Sequence, residues 1–375
     1  MTTARVVIVG AGMVGAMLAD LLARAGVAVT VVEQEFAGAG STGAAMGHLV
    51  VMDDSPAQLA LCHLSRLRWD TLQRDLSDDT EFTRSGTLWI AATEAEMEEA
   101  GRKVGRFRQE GIATELLSGE ELRQVEPALA PGLIGGLRVP DDMICYPPAI
   151  ARRLLERAAT HGATLVRAVA RAITPDGVVL DQGQRLDGDA IVVAAGAHSA
   201  ELLPGLPLVP RRGHLVITDR LPFGIRHQLV ELGYLHTAHT LGGASVAFNI
   251  QPRRTGQLLI GSSRELVGFD PTINRQLVGD MLQRATRFVP GLERAPVSRT
   301  WVGFRPASPD ALPLIGRWPA LPRTWVATGH EGLGITMAPV TAELIVADLL
   351  QQPPPLDPAP YRPDRTMPPW GAAHA

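Results

Sequence analysis

The sequence contains one lysine, two cysteines and no large excess of either charge. Lys103 is that lysine, so a catalytic lysine that forms a Schiff base has a single candidate. Cys62 and Cys145 belong to no Cys-x-x-Cys or Cys/His cluster, so the sequence predicts neither an iron–sulfur cluster nor a metal site. The net charge of −4 argues against a nucleic-acid-binding protein that relies on a basic surface.

Long hydrophobic runs are also missing. No segment reaches the ~18 consecutive apolar residues that a membrane-spanning helix needs. The segment 1–10 lacks the basic start and long apolar stretch of a signal peptide, and it is predicted to be a strand instead. Because the few cysteines fit a reduced compartment, we expect a cytoplasmic protein and leave peripheral membrane association open.

The first 33 residues combine four features of a dinucleotide-binding unit. An apolar run at 5–9 predicts a buried strand, and the turn GAGMVG follows it directly. Apolar residues at helical spacing then lead to Gly26, a typical helix end. A second apolar run at 27–32 ends at Glu33. This order of strand, glycine turn, helix, strand and acid predicts dinucleotide binding, rather than a glycine-rich turn in an unrelated α/β domain.

Each residue type in this unit has a physical reason. Gly10 permits the tight turn, Gly12 lets the backbone approach a pyrophosphate, and Gly15 allows close packing of the helix on the sheet. The helix start presents N–H groups and partial positive charge to phosphate. Glu33 lies where a carboxylate can accept hydrogen bonds from an adenosine ribose. These residues alone leave both NAD and FAD open.

The remaining pattern predicts a multi-domain protein, since 375 residues exceed the ~150 of one domain. The small residues of 38–47 are not a standard helix start, but they allow the backbone to lie against a flat ring. A mixed, mainly antiparallel unit is expected within 210–300. Further helices are predicted at 55–76, 94–109 (a solvated surface helix), 147–162, 274–288 and 339–350, and strands at 86–92, 163–167 and 190–196. The final 25 residues hold 8 prolines and predict a surface-hugging or partly disordered tail.

Two further glycine-containing segments, 303–316 and 329–336, lie near the end of the chain. Together with GAGMVG and the AAGAHS motif at 194–199, they make the sequence resemble the glycine oxidase, sarcosine oxidase and D-amino-acid oxidase family of flavoenzymes over nearly its whole length. The loop 47–56 is most similar to that of bacterial D-hydroxyproline dehydrogenases and related D-amino-acid dehydrogenases.

This resemblance implies an α/β fold, with a Rossmann-like FAD-binding domain of the GR2 type and an inserted α+β substrate domain on a mainly antiparallel sheet. The expected FAD domain comprises 1–82, 141–209 and 300–350, the substrate domain 83–140 and 210–299, and the tail 351–375. FAD is expected to bind non-covalently, because Cys145 lies away from the flavin motifs.

The resemblance also implies which residues contact FAD. Arg171 stands near a strand position that usually carries a small aliphatic residue touching adenine through its backbone. The run 332–336 would place backbone N–H groups near the flavin pyrimidine and stabilise negative charge there. The expected contacts are Gly10, Gly12, Met13, Val14, Gly15, Glu33, Gln34, Ser41, Thr42, Ala45, Met46, Gly47, Arg171, Ala195, Gly196, Gly332, Leu333, Gly334, Ile335 and Thr336.

Three residues are implied in catalysis. Arg305, in the Gly-x-Arg-Pro context, corresponds to the arginine that clamps the substrate carboxylate, and a planar guanidinium suits two charge-assisted hydrogen bonds. A structural arginine paired with a core carboxylate is the alternative. Asn249 stands where glycine oxidases carry a tyrosine, and His48 could face the flavin and substrate. His198 replaces an aromatic residue that often follows the AAG motif.

The implied reaction is oxidation of the C–N bond of a D-amino or imino acid, similar to D-hydroxyproline, D-proline, glycine or sarcosine. Hydride would pass from Cα to flavin N5 and leave an imine. The electron acceptor could be dioxygen, a quinone or a partner subunit, and both homo- and hetero-oligomers stay open. The alternatives are an FAD subunit of a multi-subunit enzyme such as hydrogen cyanide synthase, a non-catalytic FAD-binding subunit and an NAD-dependent dehydrogenase.

Overall fold

A six-stranded sheet carries the N-terminal turn. The structure, a computed structural model, describes residues 4–233 and 244–370. Five neighbouring strands run parallel, and the strand at one edge is antiparallel to them. In spatial order the strands are Leu314–Arg317, Thr324–Thr328, Ala190–Val193, Arg5–Val9, Ala28–Glu33 and Thr164–Arg167. The four central strands are largely buried runs of β-branched residues, as expected for a parallel sheet covered on both faces.

Helices cover this sheet. The helix Met13–Arg24 packs against Pro147–Thr160 and Gly334–Leu349, and the latter also contacts Pro56–Leu72. Pro56–Leu72 begins where expected, because Ser55 caps it by accepting a hydrogen bond from the Gln58 backbone N–H. Two of these helices, Met13–Arg24 and Gly334–Leu349, begin a few residues after the carboxyl end of a parallel strand.

An eight-stranded, mainly antiparallel sheet forms the second layer. Its one parallel pair joins Thr87–Ala91 to Gln228–Glu231. In spatial order the strands are Val297–Ala307, Val209–Thr218, Leu258–Arg264, Ser245–Pro252, Gln228–Glu231, Thr87–Ala91, Gly135–Val139 and Glu115–Ser118. The helices Glu94–Gln109, Gly119–Val125 and Arg275–Phe288 pack on this sheet. The expected α/β class with a mainly antiparallel second sheet is confirmed.

Smaller elements complete the chain. They are the antiparallel strands Ala170–Thr174, Gly177–Leu180 and Arg185–Asp187, the pair His48–Leu49 and Met143–Ile144, the short helices Gly40–Ala44 and Ser199–Leu202, and the 3-10 turns Gln73–Asp75, Asp78–Thr80, Gly196–His198, Pro290–Arg294 and Ala359–Tyr361. The strand Val297–Ala307 pairs with the second sheet, although the predicted boundary at residue 300 assigned most of it to the FAD domain. We keep the division into two domains as a proposal, with this strand moved to the substrate domain.

Two helix predictions were wrong. The small residues at Gly40–Ala44 do form a short helix, which is held by the Thr42 hydroxyl accepting from the Met13 N–H at 2.9 Å. The last helix begins at Gly334, five residues before Pro339. Because proline has no N–H, Pro339 cannot donate the helical hydrogen bond to the carbonyl of Ile335. The Trp69 indole N–H donates to that carbonyl instead, at 3.2 Å, so the helix tolerates the proline.

The charged helix Glu94–Gln109 is not wholly solvated. One face is buried and includes Lys103, whose ammonium group pairs with buried Asp53 and lies 4.5 Å from the centre of the Trp89 ring. The two side chains satisfy each other's charge away from water, so they are tolerated in the core. The lysine thus lies in a structural ion pair.

The C-terminal tail follows the surface as far as it is described. The Tyr361 hydroxyl is buried and donates to the Ala57 carbonyl at 2.7 Å, and Arg365 forms two hydrogen bonds to Asp310. Residues 371–375 of the predicted tail lie outside the described residues. Among residues 4–233 and 244–370, no helix combines the length and the apolar character needed to cross a bilayer.

Candidate active site

A cavity of about 820 Å³ is lined by residues from both large sheets. This volume lies in the upper part of the range for ligand sites, which is ~300–1,000 Å³. The glycine turn that follows the first strand lies in one part of its wall, and Arg305 lies in another. The structure therefore brings the expected dinucleotide site and the expected carboxylate clamp into one cavity.

The glycine turn is too tightly packed to accept side chains. Gly10 has a φ of +105°, and a Cβ added there would lie 2.5 Å from the Ala194 carbonyl oxygen. A Cβ at Gly15 would lie 1.9 Å from the Gly10 carbonyl oxygen, so Gly15 packs the helix against the turn and does not line the cavity. Gly12, Met13 and Val14 do line it. Gly12 has no side chain to cap the helix, and the Met13 N–H donates to the Thr42 hydroxyl at 2.9 Å, so an anion would approach the later N–H groups of the first turn.

Glu33 is held in place at the end of the second strand. Its carboxylate accepts hydrogen bonds from the backbone N–H of Ala11 at 2.8 Å and of Glu35 at 2.9 Å. Glu33 and Gln34 both line the cavity. The carboxylate is therefore fixed beside the glycine turn, where it can accept further hydrogen bonds from a ribose.

The segment after the second strand lies only partly on the cavity wall. Ser41, Thr42, Ala45 and Met46 line it, and the Ser41 hydroxyl donates to the Phe304 carbonyl at 2.5 Å. Gly47, also predicted to contact the cofactor, does not line it. A Cβ there would lie 1.7 Å from the Cys145 carbonyl oxygen, so Gly47 packs against the neighbouring chain segment instead.

Arg171 does line the cavity, together with Ala168, Val169 and Ala170. Val169, two residues before Arg171, is a small aliphatic residue on the same wall, and its carbonyl accepts from the Asp181 N–H at 2.9 Å; the contact of this segment with adenine stays a prediction. This register could not be fixed from the sequence, because only residues 168 and 169 separate the short strands Thr164–Arg167 and Ala170–Thr174. Ala195 and Gly196 line the cavity as well.

The start of the last long helix points at the same cavity. Gly332, Leu333, Gly334 and Ile335 line it, and the helix that begins at Gly334 has 16 residues. Its first N–H groups carry partial positive charge. Thr336 was predicted to contact the cofactor but does not line the cavity. Its hydroxyl instead donates to the His48 carbonyl at 3.0 Å and accepts from the Val50 N–H at 3.2 Å.

Arg305 reaches across the edge of the second sheet. It lies directly opposite Arg211 in the antiparallel pairing, and its Nη1 donates to the Ser263 carbonyl at 3.0 Å. The guanidinium passes over Gly213, where a Cβ would lie 2.2 Å from Nη1. A Cβ at Gly332 would lie 3.8 Å from Nε. Arg305 therefore lies between the sheet and the helix start that would hold the flavin.

Three arginines surround one carboxylate beside this point. Arg211 Nη1 lies 3.3 Å and Arg264 Nε 3.8 Å from Glu331 Oε1. Burial alone would raise the pKa of Glu331, but the positive charges of Arg264, Arg305 and Arg211 outweigh it and hold the pKa below its ordinary value. The three guanidinium groups make this part of the cavity suitable for an anion. The sequence did not indicate Arg211, Arg264 or Glu331, which come from separate segments.

His48 and Asn249 also line the cavity. Burial lowers the pKa of His48 to about 3, so the imidazole is neutral, and its Nε2 has no hydrogen-bond partner among the described residues. Asn249 Nδ2 donates weakly to the Ser262 hydroxyl at 3.4 Å, whereas its Oδ1 has no partner in the described part of the chain. Asn249 therefore offers an acceptor to a ligand, and His48 offers one in the tautomer that carries its proton on Nδ1.

Some residues that line the cavity could not be assigned to the site from the sequence, and one of them, His198, had no explanation there. Trp89 and Gln228 contribute buried polar atoms, yet they belong to no motif. His198, which replaces the usual aromatic residue, stacks on Phe269 with ring centres 4.3 Å apart, and both line the cavity. The imidazole thus takes the place of an aromatic ring in packing.

The two cysteines lie away from this cavity. Neither lines it, and both are buried. Burial raises the pKa of the Cys62 thiol to about 12 and that of Cys145 further, so both are protonated at neutral pH. Non-covalent binding of a flavin stays our prediction.

The cavity fits FAD in its chemistry. A glycine cradle with an open helix start suits the pyrophosphate, Glu33 suits the ribose, and a second helix start at Gly334 suits an electron-rich ring. Gly12 lies on the wall where a side chain would separate the backbone from a phosphate. These features line one cavity, as a bound dinucleotide requires.

Comparison with known proteins gives a consistent result. The family described as FAD dependent oxidoreductase matches residues 5–348. A glycine oxidase of Pseudomonas aeruginosa is 33% identical, over 96% of this chain and 98% of its own length. The bifunctional protein ThiO/ThiG of Nostoc is 32% identical over 93% of this chain, which spans about half (53%) of that relative's length.

A solved structure shares the fold. The glycine oxidase of Geobacillus kaustophilus superposes with a TM-score of 0.87 at 28% identity, covering 98% of this chain and all of the other. The likeness extends over both sheets, since nearly the whole chain is aligned.

Proposed function

Since the chain belongs to the family of FAD-dependent oxidoreductases, we propose that it oxidises the C–N bond of a small D-amino or imino acid to an imine. The observation that carries this proposal is the position of Arg305, which lines the same cavity as the glycine turn at 10–15 and lies beside Gly332. The expected FAD cofactor is confirmed by the family, which leaves the NAD-dependent alternative without support. Substrates of the glycine and sarcosine class agree with the glycine oxidases among the relatives.

Arg305 would bind the substrate carboxylate. Its guanidinium is already oriented by the Ser263 carbonyl, so less freedom is lost when a carboxylate binds. Two parallel hydrogen bonds from a planar fork fix the direction of the carboxylate and thereby of Cα. Positioning of this kind can lower a barrier by up to ~7–11 kcal/mol.

Other residues would hold the cofactor. Gly10 and Gly12 would admit the pyrophosphate, Glu33 would accept hydrogen bonds from the ribose, and the N–H groups at Gly334 would face the electron-rich end of the ring. When bound, FAD supplies the acceptor for the hydride that leaves Cα. Loss of that hydride and of the amine proton converts the C–N single bond to C=N.

His48 would receive the substrate amine. Its Nε2 has no partner among the described residues, so in the tautomer that carries the proton on Nδ1 it can accept a hydrogen bond from the amine while the carboxylate lies on Arg305. The amine proton finally passes to solvent, because an imidazole with this pKa does not retain it.

Anaerobic reduction of the purified protein tests this proposal. The flavin absorbance is followed while glycine, sarcosine, iminodiacetate, D-proline and cis-4-hydroxy-D-proline are added separately. Loss of the flavin band with at least one of them is expected, and a flavin-loaded protein that none of them bleaches would contradict the proposal. Repeating the reaction with dioxygen and with a soluble quinone distinguishes the acceptors, and a need for added cell extract would indicate a partner subunit.

A further inference from the structure

Four buried polar atoms, on three residues that line the cavity, have no hydrogen-bond partner among the described residues. They are the Trp89 indole Nε1, both amide atoms of Gln228 and the Asn249 Oδ1. Gln228 is fully buried, Trp89 is 1% exposed and Asn249 6% exposed, and all three line the cavity. Buried polar groups are almost always paired, so a set of unpaired ones on residues that line a cavity indicates a missing partner.

The strand register places these side chains on one face of the sheet. Val230 is paired with Trp89 on one side and with Asn249 on the other, so the three form a row across three strands. Paired residues point to the same face, as do residues two apart along one strand, so Gln228 joins this face beside Val230. We call Trp89, Gln228 and Asn249 the polar wall.

The polar wall lies within reach of a molecule held by Arg305. Asn249 is on the strand next to the one that carries Ser263, whose carbonyl accepts from the Arg305 guanidinium. Gln228 is on the following strand. Adjacent strands lie ~4.8 Å apart, so Asn249, Gln228 and Trp89 lie about one, two and three strands from the strand that carries Ser263. Asn249 and Gln228 are therefore the members of the wall nearest to a small amino acid whose carboxylate lies on Arg305, and Trp89 is the most distant.

The chemistry of the polar wall suits a hydroxyl group. The indole N–H only donates, the Asn249 Oδ1 only accepts, and the Gln228 amide does both. A hydroxyl both donates and accepts, so it can bond to either type of atom. A carboxylate would suit the wall poorly, because it only accepts and the wall carries no positive charge. We propose that Trp89, Gln228 and Asn249 form a subsite for a hydroxyl on the side chain or ring of the substrate.

This inference rests on the proposed function and deepens it: the preferred substrate is a hydroxylated amino or imino acid. A site built to hydrogen-bond a hydroxyl discriminates strongly against an analogue that lacks it, since its own buried groups are then left unpaired. Glycine, sarcosine and proline would leave the polar wall without partners. They are therefore expected to be weaker substrates than their hydroxylated counterparts.

The test compares matched substrate pairs in the flavin-loaded protein. Anaerobic flavin reduction is measured with cis-4-hydroxy-D-proline against D-proline and with D-serine against D-alanine. The ratio of second-order reduction rates within a pair is expected to favour the hydroxylated member by at least ~100-fold in one pair. If amino acids bleach the flavin but no pair favours the hydroxylated member, the inference is wrong while the proposed function stands. If no amino acid bleaches it, the proposed function fails first.

Variants locate the preference. Gln228→Leu removes the amide and keeps the approximate size of the side chain, and it is expected to lower the preference for the hydroxylated substrate at least ~10-fold. Trp89→Phe removes the indole N–H but keeps an aromatic ring beside Lys103, and it should also lower this preference. Gln276→Leu is the matched control, since Gln276 lies on an exposed helix face and donates to Asp280. Flavin content verifies folding. If Gln228→Leu binds flavin more weakly but keeps the same substrate preference, Gln228 contacts the cofactor and the inference is wrong. The inference is also wrong if neither variant changes the preference for the hydroxylated substrate.

Discussion

The guanidinium of Arg305 occupies the space in which a side chain on Gly213 would stand. A Cβ at residue 213 would lie 2.2 Å from Nη1 and 2.7 Å from Cζ of Arg305. The two residues belong to neighbouring strands, and the Ser263 carbonyl fixes the guanidinium from the next strand. The absence of a side chain at Gly213 is therefore part of the carboxylate clamp that we propose.

Gly213→Ala tests this relationship. The added methyl group must displace the guanidinium, so the substrate concentration for half-maximal anaerobic flavin reduction should rise about 10- to 100-fold, equivalent to ~1.5–3 kcal/mol for a charge-assisted hydrogen bond. Gly279→Ala is the control, because Gly279 lies on a helix with no atom within 4 Å of an added Cβ. If the two variants need the same substrate concentration for half-maximal flavin reduction, the missing side chain at Gly213 does not affect how Arg305 binds the substrate carboxylate.

Gly12→Val should weaken FAD binding. The side chain would stand between the helix start and the pyrophosphate, and its Cβ would lie 3.2 Å from the Thr42 hydroxyl. We expect the flavin-to-protein absorbance ratio of the purified variant to fall at least about tenfold, which corresponds to ~1.4 kcal/mol or more. Gly101→Val, on an exposed helix face with open space around it, should retain flavin. Full flavin content in Gly12→Val would argue against a pyrophosphate at this turn.

Asp142 should make the free energy of unfolding depend on pH. Burial raises the pKa of its carboxyl to about 7, against the opposing effects of the Thr87 hydroxyl and the Arg66 charge. The folded state therefore keeps a proton that the unfolded state loses near pH ~4. Because the folded state binds more protons in this window, this contribution to stability is greatest at about pH 4 and declines as pH rises to about 7.

Asp142→Asn removes the titrating group. The difference in urea midpoint between the variant and the parent protein should therefore change steadily between about pH 4 and 7 and level off above it. Asp141→Asn, the exposed neighbouring carboxylate that pairs with Arg84, controls for a general effect of charge. A difference that is flat across the whole range would contradict the raised pKa.

The cofactor end of the cavity could be predicted from the sequence because its residues lie within short contiguous motifs. Gly10, Gly12 and Glu33 follow each other within one strand–helix–strand unit, whose spacing fixes their positions in space. The direction in which each residue points could not be predicted from these motifs. Gly47 and Thr336 stand inside motifs but face Cys145 and His48 instead of the cavity.

The substrate end could be predicted only at Arg305. Trp89 and Gln228 meet through a parallel strand pair between segments far apart in sequence, and neither belongs to a local motif. The same holds for Arg211, Arg264 and Glu331, which tertiary folding alone brings together. Secondary structure was predicted best where periodicity was strong. It failed at Gly40–Ala44, where tertiary hydrogen bonds support a helix that the composition disfavours.

Arg305→Met tests the central claim most directly, because methionine keeps an unbranched side chain and removes the guanidinium. The variant should purify with its flavin, and the substrate concentration for half-maximal anaerobic bleaching should rise about 100-fold, as expected for the loss of ~3 kcal/mol of charge-assisted hydrogen bonding. Arg185→Met, at an exposed arginine of the small three-stranded sheet, should leave that concentration unchanged. A flavin-loaded Arg305→Met protein that bleaches at the same substrate concentration as its parent would contradict the account.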